Sequence, residues 1–202
     1  LESREAGGAD LAKELESLRR KAKTLQEKVL KGLTPFQRVL IARHPGRPRP
    51  PAVLEAVAEG FVELRGDRCE ADDPGLLAGL GYLDRRRVAW LAHGRGRPGA
   101  DGPGWARLPT AAGLRKATRL VELAARFGLP LVTFVDTADR GDPDPVAEAR
   151  QGPAFTELLA MLVDLPTPSL AVVLGEAYGD HGITLAVADR VLVLEHAVCA
   201  PV

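Results

Sequence analysis

The chain has 202 residues, 46% of them apolar, with 27 Lys+Arg balanced by 27 Asp+Glu. That is enough apolar material for one folded domain with an extension; it excludes wholesale disorder, and the zero net charge excludes a general polyanion binder, so no nucleic-acid partner is expected. No apolar run reaches the ~18–20 residues of a membrane span and the charged start carries no secretory signature, so no membrane partner and a cytoplasmic setting are expected.

Residues 1–8 read as a flexible tail or linker because of the paired Gly7-Gly8. Residues 9–60 form a helical N-terminal extension. Its first helix, over 9–31, places Leu11, Leu15, Leu18, Ala22, Leu25 and Val29 at alternating steps of four and three. So narrow a stripe packs on a partner helix or across the body of its own domain. Gly32 is a C-cap and Thr34-Pro35 an N-cap with proline at the first helical position, opening a short helix through about Ala42. Pro45, Pro48, Pro50 and Pro51 predict an extended linker over 44–51, and a helix follows over 52–60.

Residues 61–202 change character. Short apolar runs at 76–83, 88–92, 131–135, 170–174 and 191–194 read as strands, with helices between them at about 111–127 and 153–163. Continuous apolar strands separated by helices predict an α/β fold with a mostly parallel sheet buried on both faces. In such sheets, sites form where loops leave the carboxyl ends of strands. Three loops qualify: the one after Ala92, which is rich in Gly, Pro and Arg and expected to be mobile, the one after Val135 and the one after Leu174. Cys69 and Cys199 make no CxxC pair, so neither a disulfide framework nor a metal site is expected.

Several ordered motifs resemble one family. They are Ala42-Arg43-His44-Pro45 with Arg47-Pro48; Glu63-Leu64 with Gly66-Asp67-Arg68 and Ala71-Asp72-Asp73; Gly113 with Arg115-Lys116-Ala117 and Arg119-Leu120; Phe134-Val135-Asp136-Thr137; and Gly175-Glu176. Together they are similar to the alpha subunit of the bacterial acetyl-CoA carboxylase carboxyltransferase, of the crotonase-like superfamily. The resemblance implies a ClpP/crotonase spiral of ββα units and transfer of a carboxyl group from carboxybiotin, carried on a biotin carrier protein, to acetyl-CoA, giving malonyl-CoA. It also implies a beta-type partner subunit holding the acyl-CoA side, in a homodimer or hetero-oligomer. The chain resembles the family only as far as the strand at 191–194, where family members continue with further helices, so a truncated domain is expected.

The resemblance implies that glycine-rich turns present paired backbone N–H groups to a developing oxyanion. The candidates here are Gly179 and Gly182, with Asp180 and His181 standing where the family has glycine. Asp180-His181 also read as an acid/base pair. His93, Gly94, Arg95 and Gly96 are candidates for the phosphates of a CoA or acyl carrier thioester, or else a solvated basic loop. Asp136, Thr137 and Gly141 orient the second loop, although Asp and Thr also end strands through local turns. Two alternatives stay open: a catalytically degenerate structural or regulatory paralogue, and a malonyl-thioester decarboxylase of the same fold.

Overall fold

The computed structural model describes residues 2–94, 109–137 and 145–200. The chain divides into two compact units, Leu1–Arg38 and Val39–Val202.

In the first unit, α1 spans Glu2–Lys31. It therefore runs through Gly7-Gly8, where a flexible tail was expected. Each glycine costs a helix roughly 1 kcal/mol, but Ala6 and Ala9 flank the pair and elongation adds one hydrogen bond per residue. The stripe residues Leu11, Leu15, Leu18, Leu25 and Val29 are exposed. The next helix, α2 (Pro35–Ala42), starts as the sequence predicts. Thr34 N–H donates to Gln37 Oε1 at 2.9 Å and Gln37 N–H donates back to Thr34 Oγ1 at 3.3 Å, a reciprocal capping box.

The second unit contains α3 (Pro50–Val57), β1 (Glu59–Glu63), β2 (Leu76–Leu83), β3 (Arg86–Gly94), α4 (Ala111–Phe127), β4 (Leu131–Asp136), α5 (Pro145–Val163), β5 (Ser169–Val173), β6 (Glu176–Tyr178), α6 (Gly179–Leu185), β7 (Arg190–Val193) and β8 (Val198–Ala200). Six strands form one sheet in the order β1-β2-β3-β4-β5-β7, and β6 pairs with β8 in a second. From β3 to β7 the main sheet is parallel; β1, β2 and β3 are antiparallel. All five apolar runs are strands. The strands β1, β6 and β8 are not legible in the sequence, because Glu59, Glu63 and Glu176 break the apolar pattern of β1 and β6, and β8 is three residues long.

Alternation along the strands divides the core between two faces of the sheet. On one face Leu91, Leu131, Val135 and Val173 pack with Leu114, Leu120, Val121 and Leu158 of α4 and α5. On the other Trp90, Val132 and Phe134 pack with Leu54 of α3, the Trp90 and Phe134 rings stacking at 5.9 Å. Because Leu54 is 1% exposed in this core, α3 belongs to the sheet domain. The expected boundary after residue 60 thus falls inside the compact body. Pro50 and Pro51 open α3 rather than extending a linker, since proline is tolerated where the helix has no N–H bond to make.

Two motif segments interlock at the start of α4. Thr110 caps the helix, accepting from Gly113 N–H at 3.2 Å while its hydroxyl donates to Asp73 at 3.0 Å. Arg115 Nε donates to Asp67 Oδ2 at 2.8 Å, and Arg119 donates to the carbonyls of Leu64, Arg65 and Gly66. Gly128, at φ +64°, ends the helix in the left-handed conformation that suits glycine.

Candidate functional site

The carboxyl ends of β3, β4 and β5 lie side by side, with Gly94 paired to Asp136 and Val135 to Val173. The chain leaves β5, turns at Leu174-Gly175, forms β6 and enters α6. This brings the second and third candidate loops together. Glu176 N–H donates to Asp136 Oδ1 at 2.9 Å, Thr137 N–H donates to the Glu176 carbonyl at 2.7 Å, and Tyr178 N–H donates to Thr137 Oγ1 at 2.8 Å. Gly175 is required by this approach: a Cβ there would collide with the Asp136 carboxylate.

The Arg/Pro segment before α3 reaches the same place. Arg49 Nη1 donates to Asp136 Oδ2 at 2.9 Å, and both groups are buried. Arg43 Nε donates to Glu176 Oε1 at 2.8 Å. Arg47 lies in the field of both Asp136 and Arg49; burial lowers its pKa most, Asp136 opposes that and Arg49 adds to it. So dense a basic cluster is tolerable because buried carboxylates stand among the guanidinium groups. Sequence reasoning missed Arg49 and named Glu176 only within the Gly175-Glu176 motif. The available signal was three arginines within seven residues of prolines, too stiff and too charged for an idle linker.

Gly179 and Gly182 lie at the start of α6. Gly179 has φ +61°, and the preceding Tyr178 supplies no capping side chain to the first turn. Gly182 is forced by packing, since a Cβ there would lie 2.6 Å from the Ala177 carbonyl carbon and 2.7 Å from Thr137 Oγ1. Asp180 is exposed, whereas His181 is buried edge-on to Phe155 at 5.4 Å. Successive helical positions project about 100° apart, so α6 gives the two groups different surroundings rather than presenting them as one pair. Asp136 and Thr137 are fully buried and brace β6; they are framework rather than an exposed binding surface. His93 is fully buried at the end of β3, next to Gly94, so its imidazole is not part of a solvated basic loop. Arg95, Gly96 and Gly141 lie outside the described residues, as does most of the loop expected to be mobile. Among the described residues no group of three or more His, Cys, Asp or Glu is arranged to hold a metal, and no helix is long and apolar enough to cross a membrane.

Comparison with known proteins agrees with this architecture. Transcarboxylase 12S superposes with a TM-score of 0.60 at 17% identity, covering 89% of this chain and 36% of that one. The beta subunit of geranyl-CoA carboxylase from P. aeruginosa gives 0.59 at 16% identity, covering 78% and 29%. The fold is that of the crotonase-like carboxyltransferases. An acetyl-coenzyme A carboxylase carboxyl transferase subunit alpha from Thermus thermophilus is 39% identical over 197 residues, 97% of this chain and 63% of its own length. A Salinispora arenicola protein described as subunits beta/alpha is 47% identical over 171 residues, 83% of this chain and 30% of its own. The chain thus spans less than two thirds of the length of these relatives. The family model described as acetyl co-enzyme A carboxylase carboxyltransferase-like matches residues 1–201, and the chain belongs to that family.

Proposed function

We propose that this chain acts in carboxyl transfer from carboxybiotin to acetyl-CoA, giving malonyl-CoA, as the alpha-type component of a cytoplasmic hetero-oligomer. A beta-type subunit and a biotin carrier protein are its partners, and the beta/alpha arrangement of the Salinispora arenicola relative supports the first of these. The observation that carries the reading is the opening of α6 at Gly179, held against the end of β4 by the 136–137 and 176–178 hydrogen bonds. The first N–H groups of a helix have no partner within it. Aimed at a ureido or enolate oxygen they stabilise the negative charge that grows there, each such donor typically contributing ~10²–10³ in rate. Asp180 stands in solvent, where screening weakens its repulsion of that charge.

In the decarboxylase alternative Asp180-His181 would donate a proton to the enolate; the relatives are named for carboxyl transfer instead. The test is a reconstituted assay with a beta-type subunit, a carboxylated biotin carrier and acetyl-CoA. Malonyl-CoA formation above the beta-only background is expected; its absence overturns the reading and leaves the inactive paralogue.

A further inference from the structure

We propose that Arg49, which lies outside both site loops, is a positioning residue: through Asp136 it sets the register of the Glu176–Tyr178 segment against the end of β4. The Asp136 carboxylate is fully buried and uses its two oxygens on different partners, Oδ2 on Arg49 and Oδ1 on Glu176 N–H. The same guanidinium reaches the His44 carbonyl through Nη2 at 3.4 Å, so the fork is held at both prongs. One residue along, Thr137 takes up the carbonyl of Glu176 and the N–H of Tyr178. Gly179 follows directly, at φ +61°, and opens α6. Remove the guanidinium, and a buried carboxylate loses a counter-charge. Arg47 still lies in its field, but the vacated volume admits water to the carboxylate, which weakens its hold on Glu176 N–H. Arg43 grips the Glu176 side chain separately, so the segment is loosened rather than released.

The kinetic consequence rests on the function proposed above; the structural one does not. Amide hydrogen exchange on the chain alone should show Glu176 and Tyr178 exchanging about tenfold faster in Arg49→Met, while Phe134 and Val172 in the adjoining strands are unchanged. Arg49→Lys, which keeps the charge but loses the fork, should fall between. No change at Glu176, or a uniform rise across β4 and β5, overturns the proposal. In the reconstituted complex, Arg49→Met should lower kcat about tenfold with KM for acetyl-CoA unchanged, and Arg49→Lys should recover part of the loss. A loss carried by KM overturns it. A wild-type complex that transfers no carboxyl group overturns only the functional reading, and the exchange result still decides the role of Arg49.

Discussion

Lys116 Nζ donates to Asp72 Oδ1 at 2.6 Å and to the Asp73 carbonyl at 2.7 Å, from a side chain with no solvent exposure. An ammonium group buried this completely is stable only when its donors are satisfied. Here a helix reaches back to hold the loop before β2, and that loop in turn caps the helix through Thr110.

Lys116→Met keeps the aliphatic stem and removes the charge. The Asp73 carbonyl then loses a buried donor, at about 1–3 kcal/mol. Asp72 keeps 35% side-chain exposure, so it rehydrates and its ion-pair part costs about 0–1 kcal/mol. A melting temperature lower by roughly 2–16 °C is expected from these costs together, at about 2–4 °C per kcal/mol for a chain of this size. An unchanged thermal midpoint would show that the pair does not anchor the loop.

One helical glycine is fixed by its neighbour. A Cβ at Gly113 collides with the Asp73 carboxylate that accepts from Thr110 at the start of the same helix. Gly113→Ala should destabilise by about 1–3 kcal/mol through overpacking. An unchanged urea midpoint in the variant would contradict this contact.

Acid should weaken the same loop. The N–H groups of Cys69, Glu70 and Ala71 converge on Asp67 Oδ1 at 2.9–3.0 Å, and Arg115 binds Oδ2. Burial pushes the Asp67 pKa up, but the hydrogen bonds from Glu70, Cys69, Arg115 and Ala71 together outweigh it and hold the carboxyl below the usual range. Asp72 is lowered too, burial being overcome chiefly by Lys116. In the unfolded chain both groups titrate near ~3.9. As the pH falls below that value the unfolded state binds protons first, so stability falls. The contribution is complete above the unfolded pKa and is lost as pH drops through the folded one. Denaturation midpoints from pH 6 to 2.5 should therefore fall less steeply in Asp67→Asn than in the wild type; equal slopes would contradict the assignment.

Gly182→Ala tests the seat of α6. The added methyl meets the Ala177 backbone and Thr137 Oγ1, neither of which can move without disturbing β6. Displacement of the helix start by even ~1 Å is expected to cost about a hundredfold in carboxyl transfer. Ile183→Ala, one residue on and exposed, should leave the rate unchanged. Equal rates in the two variants would remove α6 from the mechanism.

Local pattern was enough to place five of the strands, the extent of α4, and the Thr34-Pro35 start of α2. Each of these depends on apolar periodicity or on a capping residue within a few positions. Asp136-Thr137 and Gly175-Glu176 were also legible as the ends of strands that carry the site. What the order of residues did not disclose was which charges meet. Arg49 and Asp136 are 87 positions apart, Arg43 and Glu176 133, and Lys116 and Asp72 44. The first two pairings exist because the sheet sets β4 beside β5 and the segment before α3 reaches their carboxyl ends; the third exists because α4 packs against the loop before β2. The surroundings of Asp180 and His181 were likewise decided by the fold: a helix turns successive side chains apart, leaving one in solvent and the other buried beside Phe155. Composition and spacing determined the layers of this protein; the partners of its buried charges were decided only when the chain closed on itself, since a buried ion must find its counter-charge wherever the fold delivers one.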